Sequence, residues 1–358
     1  MKQIGWWNTE LGDKELTNII NAFQNRNIGM GVETQALEDD ICKLLHIPYS
    51  VIFPSCSVAL YVALKVNGIK PDDEVIVPNR TFIATAHAVL LAGAKVKLVD
   101  ANSYNTNIDV SKIIDAITPK TRAIIPVHLN GCGVDMGQIN LIAEKYNLIV
   151  IEDASQALLS KNKKGDFLGT LSSIGCYSLG LAKLISMGYG GFCVCHDKET
   201  YDKLVKFRNH GSSQLYAHEG FGFNFKVSDL LSSMCRAQIA RANEKINKVK
   251  EIYQLYSDAI TQLDYIDLIN VDIANGELPL YIEVRSKFRE NIIEFLKHNG
   301  ISTQILQQSL HTHKHLFSNG YFPNSETFDK ELFRLPCGPS QGKENVLYVI
   351  EALKRFKI

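Results

Sequence analysis

A lysine and an acidic pair about thirty residues upstream have the types and settings for covalent chemistry on a carbonyl group. Lys183 ends the stretch Ser178-Leu-Gly-Leu-Ala-Lys183, and Glu152-Asp153 follows the apolar run Ile149-Val-Ile, which is typical of a buried strand. An amine in apolar surroundings is partly desolvated, which favours its neutral, nucleophilic form. Such a pair suits pyridoxal 5'-phosphate (PLP), because its aldehyde forms a Schiff base with a lysine and its ring nitrogen needs an anionic partner.

Polar residues close to this pair could hold such a cofactor, although each has a plainer interpretation. Gln156 lies three residues after Asp153 and could donate a hydrogen bond to a phenolic oxygen such as O3' of PLP. Asp153 alone could equally be a helix cap. Ser178 could add a hydroxyl beside the lysine or serve only as a local hydrogen-bond partner.

A second group of candidates lies nearer the amino terminus. Ser55-Cys56-Ser57 precedes a predicted helix near Val58, so free backbone amides and two hydroxyls could bind a phosphate there. A simple N-cap is the competing interpretation. Phe82 could be a platform for an aromatic ring, but such a residue is more often part of a core.

Composition limits the classes of function. The chain has 358 residues, 46% hydrophobic and 21% charged, and a formal net charge of zero, which predicts two or three globular domains and argues against nucleic acid or a membrane surface as partner. No secretory leader or long apolar span is evident, so we expect a cytoplasmic protein. The eight cysteines form no Cys-x-x-Cys pair and predict buried free thiols.

The elements that must position these residues follow an alternating rhythm. Short apolar runs predict strands near 49–54, 74–78, 95–100, 123–128, 149–152, 174–179 and 191–195. Helical patterns lie between them near 58–67, 85–92, 110–116 and 136–146. This alternation predicts an α/β domain with a mostly parallel sheet covered by helices on both faces, in which ligands bind at the carboxyl ends of strands.

A smaller α+β domain is predicted to follow. One or two long helices are expected over 227–262, then a strand near 278–284 and helices near 288–298 and 344–356. We therefore expect a large domain over 1–245 and a small carboxyl-terminal domain over 246–358, with the first residues of the chain also candidates to pack on the small domain.

The alternating histidines 311, 313 and 315 would share one face of a strand. They are a poor metal-site candidate because no carboxylate or cysteine lies nearby in sequence. No metal is expected.

Several motifs in order resemble the DegT/DnrJ/EryC1/StrS family of PLP-dependent sugar aminotransferases, which have the aspartate aminotransferase fold type I. The stretch 72–85 is similar to the family's "GDEVIVPSFTFVAT", 117–131 to "ITPRTKAIIPVHLYG", 152–157 to "EDAAQA", 177–191 to "FSFYPTKNLTAGEGG" and 222–230 to "GYNYRMSEL". The resemblance runs from about Ile28 to Arg241 and more loosely to the end of the chain.

The resemblance implies a role for each candidate. Lys183 would form the Schiff base and carry protons, Asp153 would pair with the pyridine nitrogen, and Gln156 would contact O3'. Phe82 would stack on the ring, while the turn Ser55-Cys56-Ser57 and Ser178 would hold the phosphate. Asn224 would complete the phosphate site from the neighbouring subunit, which implies a homodimer with shared active sites.

The resemblance also implies a reaction. Glutamate or glutamine would convert the cofactor to pyridoxamine 5'-phosphate, which would then aminate a keto sugar, most simply a nucleotide-linked one used for surface polysaccharide or glycan. A lysine at position 183 favours transamination, because family members with histidine there act as dehydratases.

Departures from the family pattern lie where an acceptor would bind. Cys56 replaces a glycine, Tyr189 an acidic residue and Lys226 an arginine, and the segment 304–311, ending at His311, replaces a histidine-tyrosine-proline run. We therefore take Tyr189, Lys226 and His311 as candidate substrate residues. The alternatives are a small phosphorylated ketone or ketose as acceptor, and a non-catalytic PLP-binding regulatory protein.

Overall fold

The computed structural model describes residues 2–214, 217–306, 308–316 and 318–358. Its strands are β1 Tyr49–Phe53, β2 Glu74–Pro78, β3 Lys95–Val99, β4 Thr121–Ile124, β5 Ile149–Asp153, β6 Ile174–Ser178, β7 Gly191–Cys195, β8 Ser212–Gln214, β9 Ala217–His218, β10 Asp267–Leu268, β11 Ile282–Arg285, β12 Gln304–Ile305 and β13 Leu332–Leu335. Its α-helices are α1 Asp13–Gln24, α2 Val32–Leu45, α3 Cys56–Val66, α4 Ile83–Leu91, α5 Ile113–Ala116, α6 Met136–Tyr146, α7 Lys198–Arg208, α8 Asp229–Ala240, α9 Ala242–Ile260, α10 Arg289–His298, α11 Pro323–Glu331 and α12 Lys343–Arg355.

The first seven strands form one sheet in the order β1-β7-β6-β5-β4-β2-β3. All neighbours in it are parallel except those of β7, which runs antiparallel to both β1 and β6. The predicted mostly parallel sheet is therefore confirmed. Its strands are apolar because both faces are covered.

Three buried clusters cover the faces of this sheet, one of them formed with α6. On one face, the apolar sides of α3, α4 and α7 pack on strand residues such as Val51, Val77 and Ile151. On the other, α2 and α9 share a continuous core with strand residues such as Ile52 and Phe192. Because both faces of the sheet are buried, the strands are held in a fixed arrangement. Their carboxyl ends therefore position the residues of the site.

The second sheet is antiparallel and has the order β10-β11-β13-β12. Its residues join the same core as α9 and α12, so the two sheets are packed together. Isolated bridges join Ile4 to Ile301 and Trp7 to Cys337, which places the first residues of the chain against this second sheet region. Residue 245 lies inside α9, and the domain boundary drawn there stays a prediction.

Several element ends differ from their predicted positions for local reasons. Helix α3 begins at Cys56 rather than Val58, because the Ser55 side chain caps it by accepting from the backbone N–H of Val58. Strand β11 begins at Ile282 rather than near residue 278. The N–H and C=O of Tyr281 are bonded instead to the side chain of Asn130.

Two further observations concern the whole described chain. All eight cysteines are free, and the Sγ atoms of Cys176 and Cys193 lie 3.8 Å apart on neighbouring strands. None of the described helices combines the length and hydropathy that crossing a membrane requires.

Candidate active site

A cavity of about 530 Å³ lies at the carboxyl ends of β5 and β6 and extends to the second sheet. Nine of the predicted site residues line it: Ser55, Cys56, Ser57, Phe82, Asp153, Gln156, Ser178, Lys183 and Tyr189. A more open groove of about 880 Å³ between α1, α2 and α8 contains none of them. The chemistry therefore points to the smaller, better enclosed cavity.

Lys183 lies in the loop that connects β6 to β7 and is half-buried. Its Nζ atom forms no hydrogen bond or ion pair with any residue that the structure describes. The backbone carbonyl of the preceding Ala182 accepts a hydrogen bond from the hydroxyl of Tyr281 at 3.0 Å, which ties this loop to the second sheet. The lysine thus presents an uncommitted amine to the cavity.

The acidic pair at the end of β5 divides into two roles because successive side chains of a strand point to opposite faces. Glu152 is fully buried and bonded to the ring Nε2 of His128 at 2.9 Å, with further donors from the backbone of Gly169 and Leu171. Asp153 faces the cavity instead. Glu152 is therefore structural, and Asp153 is the carboxylate available to a ligand.

Asp153 is 2% exposed and held by two donors. The hydroxyl of Thr85 donates to Oδ2 at 2.8 Å, and the backbone N–H of Ser155 donates to Oδ1 at 3.0 Å. A carboxylate has about four lone-pair positions, so two stay open after these contacts. The carboxylate is fixed in orientation and can still accept a hydrogen bond from a ligand.

Gln156 is oriented by a backbone group. The N–H of Asn130 donates to its Oε1 atom at 3.0 Å. An N–H can only be met by the amide oxygen, so the Nε2 group of Gln156 is left to donate, and it has no protein partner within the described part of the chain. This is the orientation that a hydrogen bond to a phenolic oxygen requires.

The amino terminus of α3 forms one end of the cavity. Ser55 is its N-cap, and the N–H groups of Cys56 and Ser57 belong to the first helical turn, which has no intrahelical acceptors. A side chain at Gly191 would bring its Cβ within 2.3 Å of the Cys56 nitrogen, so only glycine allows β7 to approach this turn. The capping role of Ser55 is compatible with an anion site here, because Ser55 satisfies the Val58 N–H and leaves the N–H groups of Cys56 and Ser57 free.

The Cys56 thiol lies at the base of this turn. Burial is the main cause that raises its pKa well above the ordinary 9.0, and the nearby Asp153 raises the pKa further. The thiol is therefore neutral at physiological pH. It acts as a small apolar side chain rather than as a nucleophile.

Two aromatic rings face the cavity without being part of a core. Phe82 is 52% exposed and Tyr189 is 83% exposed, and both line the cavity. The core role considered for Phe82 is therefore wrong. Its exposed face is available to an aromatic ring in the cavity.

Three predicted residues do not line the cavity of their own chain. Asn224 and Lys226 are exposed, and Asn224 forms an isolated bridge with Asn209. The backbone N–H of His311 donates to Oδ1 of Asn79 at 2.9 Å, and the histidine ring is turned toward that same side chain. The substrate roles of Lys226 and His311 stay predictions.

Several cavity residues were not predicted. They are Trp6, Arg80, Thr85, Tyr281, Glu283, Gln304 and Arg334, and Asn130 supports them from behind. Thr85 belongs to the family-like stretch 72–85, so that resemblance could have indicated it. Arg80 lies in the same stretch, and Gln304 begins the altered segment 304–311. The remaining residues, Trp6, Tyr281, Glu283 and Arg334, come from distant parts of the chain, and no local spacing connects them.

No group of three or more histidine, cysteine, aspartate or glutamate side chains in the described ranges is arranged to hold a metal ion. His313 and His315 are ring neighbours, and Nε2 of His315 lies 2.9 Å from Nε2 of His87.

Comparison with known proteins gives consistent matches over nearly the whole chain. The model of the DegT/DnrJ/EryC1/StrS aminotransferase family matches residues 9–354. The chain is 32% identical to GDP-perosamine synthase of Escherichia coli O157:H7, with 99% of each chain covered. It is also 32% identical to the pleiotropic regulatory protein of Geobacillus stearothermophilus, with 91% of this chain and 90% of that protein covered.

The same likeness holds in three dimensions. The crystal structure of DesV from S. venezuelae, in complex with a ketimine intermediate, superposes with a TM-score of 0.95 and 27% identity over 100% of both chains. The match covers the whole chain and therefore includes both sheets.

Proposed function

Because the chain belongs to the DegT/DnrJ/EryC1/StrS aminotransferase family, we propose that it transfers an amino group from glutamate or glutamine to a keto sugar with PLP as cofactor. Membership makes it an enzyme of the PLP-dependent aminotransferase type, with the predicted fold type I. The donor, the acceptor and the setting in surface polysaccharide or glycan synthesis belong to the proposal.

The observation that carries the proposal is the amine of Lys183, which has no partner among the described residues, in one cavity with the fixed carboxylate of Asp153. When bound, PLP supplies an aldehyde carbon and an electron-withdrawing ring. Lys183 would hold it through Nζ and move protons there. Asp153 would stabilise a positive charge on the ring nitrogen. Because no described carboxylate pairs with Nζ of Lys183, this amine remains available to the cofactor.

The remaining contacts fit the cofactor's other groups. Nε2 of Gln156 is left to donate to a phenolic oxygen, and the exposed face of Phe82 can cover a ring. The open N–H groups at the start of α3, with the hydroxyls of Ser57 and Ser178, fit a phosphate. Three chemically different parts of PLP thus have matching residues in one cavity.

We further propose a homodimer in which Asn224 completes the phosphate site of the partner. Asn224 is exposed and lies away from the cavity of its own chain, as a residue acting across an interface would. The eight free cysteines suit the reducing cytoplasm, where we propose that the enzyme acts.

A nucleotide-linked acceptor is favoured by the similarity to GDP-perosamine synthase. The altered segment 304–311, of which residue 307 lies outside the described residues, motivates a small phosphorylated ketone or ketose as the alternative. A regulatory role is the second candidate, since a relative of equal identity is named a pleiotropic regulatory protein. The free amine of Lys183 favours catalysis over that role.

The test follows the absorbance of the purified protein. PLP bound to Lys183 should absorb as a protonated Schiff base, and glutamate or glutamine should convert it to the pyridoxamine form. Keto sugars linked to a nucleotide should then restore the first spectrum, and turnover of phosphorylated ketones alone would favour the alternative acceptor. If no amino acid changes the spectrum, the catalytic proposal is wrong.

Variants localise the covalent attachment. Borohydride reduction should fix PLP on the peptide that contains Lys183, and Lys183→Ala should abolish the attachment while the protein stays folded. Lys203→Ala is a matched control, because Lys203 lies on the surface of α7 in an ion pair with Glu199. Attachment retained in Lys183→Ala would refute the assignment of this lysine.

A further inference from the structure

The second sheet contributes a charged wall to the cavity. Glu283 on β11 and Arg334 on β13 are directly opposite each other in the antiparallel register, and both line the cavity. Arg80, from the segment after β2, lines it as well. These residues belong to segments remote from Lys183 in sequence, and none of them has been given a role so far.

The guanidinium of Arg334 is held on three sides. Its Nε and Nη2 atoms both donate to Oε1 of Glu283, at 3.0 and 2.7 Å, and Nη1 donates to Oε1 of Gln304 at 3.1 Å. Its Cζ atom lies 3.6 Å from the centre of the Tyr281 ring. The arginine is therefore rigid, and it fixes the orientation of the glutamate.

This arrangement leaves one oxygen of Glu283 without a partner. Both arginine contacts go to Oε1, and Oε2 accepts no hydrogen bond from any described residue. The side chain is only 2% exposed, yet it lines the cavity. This oxygen is not one of the described buried side-chain atoms that lack a partner, so it is open to the cavity. A ligand that displaces solvent there has to donate a hydrogen bond to it, because a desolvated carboxylate oxygen with no donor is costly.

Arg80 offers the complementary groups. It is 5% exposed, and one of its five N–H groups is used, by Nη1 on Oδ1 of Asp329. Asp329 is itself fixed by the backbone N–H and hydroxyl of Ser309. The other N–H groups of Arg80 have no acceptor within the described ranges, so they are available to the cavity.

A stacking contact and a hydrogen bond connect this charged wall to the loop that contains Lys183. Tyr281, on which Arg334 stacks, donates its hydroxyl to the carbonyl of Ala182, the residue before Lys183. One continuous set of contacts thus joins Arg334 to the loop that contains Lys183. A molecule bound beside Lys183 in this cavity therefore also faces Glu283 and Arg334.

We propose that Glu283 and Arg80 recognise a ring hydroxyl of the acceptor and so determine its class. A hydroxyl donates to a carboxylate and accepts from a guanidinium at once. A phosphate or carboxylate would be repelled by the open oxygen of Glu283. The positive charges of Arg80 and Arg334 are already neutralised by Asp329 and Glu283, so they leave no net positive charge to bind an anion. The inference rests on the proposed function, and it selects a neutral, hydroxylated sugar ring over a deoxygenated ring or an anionic group at this wall.

The test uses nucleotide-linked keto sugars with the carbonyl at carbon 3 or carbon 4, and deoxy analogues that lack one ring hydroxyl each. With the wild-type protein, loss of one particular hydroxyl should lower kcat/KM by about 10- to 100-fold, the range for losing a hydrogen bond to a charged group. Glu283→Ala should lower the ratio of the two kcat/KM values by about tenfold and leave only the discrimination that the Arg80 contact provides. Glu283→Gln keeps an acceptor oxygen and should give an intermediate ratio.

The ratio of kcat/KM for the hydroxylated sugar to kcat/KM for its deoxy analogue separates recognition from damage to the fold. Partial unfolding lowers the activity on both sugars equally and leaves this ratio unchanged. Glu38→Gln is the matched control, since Glu38 is also buried against an arginine, Arg208, but does not line the cavity. It should leave the ratio as in the wild type. Equal turnover of all deoxy analogues, or a ratio unchanged in Glu283→Ala, would overturn this inference alone; no turnover of any keto sugar would overturn the proposed acceptor class together with it.

Discussion

The backbone N–H of Asn130 donates to the amide oxygen of Gln156 at 3.0 Å. The side chain of the same asparagine accepts from the backbone N–H of Tyr281 at 2.6 Å and donates to its C=O at 3.1 Å. One buried residue thus orients a proposed cofactor contact and binds the strand that forms the opposite wall of the cavity. It adopts a left-handed backbone conformation with φ 51°, which asparagine tolerates better than most residues.

Replacement of Asn130 should therefore lower stability and loosen the cavity. Asn130→Gly keeps the backbone conformation accessible and removes both bonds to Tyr281, and we expect it to lower the free energy of unfolding by about 2–4 kcal/mol. Asn130→Asp keeps the acceptor for the Tyr281 N–H, but it loses the donor and buries a negative charge opposite the Tyr281 C=O. Urea denaturation should therefore find both variants less stable than the wild type; wild-type stability in both would contradict the bridging role.

Thr85 supports Asp153, and its removal should weaken cofactor binding. Thr85→Val has nearly the same shape but cannot donate to Oδ2 of Asp153. Loss of a hydrogen bond to a charged group should raise the dissociation constant of PLP by about tenfold or more. Absorbance titration of the apoenzyme measures it. Thr85→Ser retains a hydroxyl and should bind within about twofold of the wild type, and wild-type affinity in Thr85→Val would show that the contact is dispensable.

The residues that sequence patterns identified lie in continuous motifs at strand and helix ends. Lys183, Asp153 and Gln156 were found because each belongs to a short run whose local structure already aims it at the cavity. Thr85 also lies inside such a run. Its contact with Asp153 could have been predicted if α4 had been known to face the end of β5. Local pattern therefore predicts the half of the cavity that is proposed to bind the cofactor.

The wall that Glu283 and Arg334 form with Arg80 could not be found in that way, although Arg80 itself lies in the stretch 72–85. Glu283 and Arg334 meet through the register of β11 and β13, and Arg80 reaches them only because the two sheets pack together. In the sequence, Glu283 is also indistinguishable from an ordinary polar residue of a short strand. The half of the cavity that is proposed to bind the acceptor is therefore assembled by tertiary packing.

Helix α7 was missed although its sequence contains a signal. Asp197 caps it by accepting from the backbone N–H of Thr200 at 2.8 Å, a common arrangement for an aspartate that precedes a helix. Helix α11 likewise begins with Pro323 in its first turn. Their few apolar residues weakened the periodicity, so the capping residues were the better evidence.

A cluster of charges between the amino-terminal region and α8 predicts an acid-sensitive contact. Burial tends to raise the pKa of Glu15, but hydrogen bonds from Arg241 and Gln238 outweigh it and hold the pKa below the ordinary 4.5. A lowered pKa in the folded state means that the ionised carboxylate stabilises the fold. That contribution is complete above pH 4.5 and is lost as the pH falls through the lowered value.

Glu15→Gln should accordingly lose stability at neutral pH, by about 1–3 kcal/mol, and lose less on acidification than the wild type. Thermal unfolding between pH 7 and pH 3 measures both effects. Asp202→Asn is a control, since Asp202 pairs with Lys198 on the surface and such pairs contribute less than about 1 kcal/mol. A parallel pH dependence for Glu15→Gln and the wild type would contradict the assignment.

The proposed sharing of active sites between subunits predicts complementation between two inactive variants. Lys183→Ala lacks the amine, and Asn224→Ala should bind the cofactor phosphate weakly if Asn224 acts on the partner's site. A mixed dimer then has one site with both defects and one intact site. Co-expression of the two chains should restore about a quarter of wild-type activity, because random pairing places half of the chains in mixed dimers. Each variant expressed alone is the control. If the co-expressed mixture has no more activity than the sum of the two variants, Asn224 acts within its own chain or not at all, and the proposed exchange across the interface is wrong.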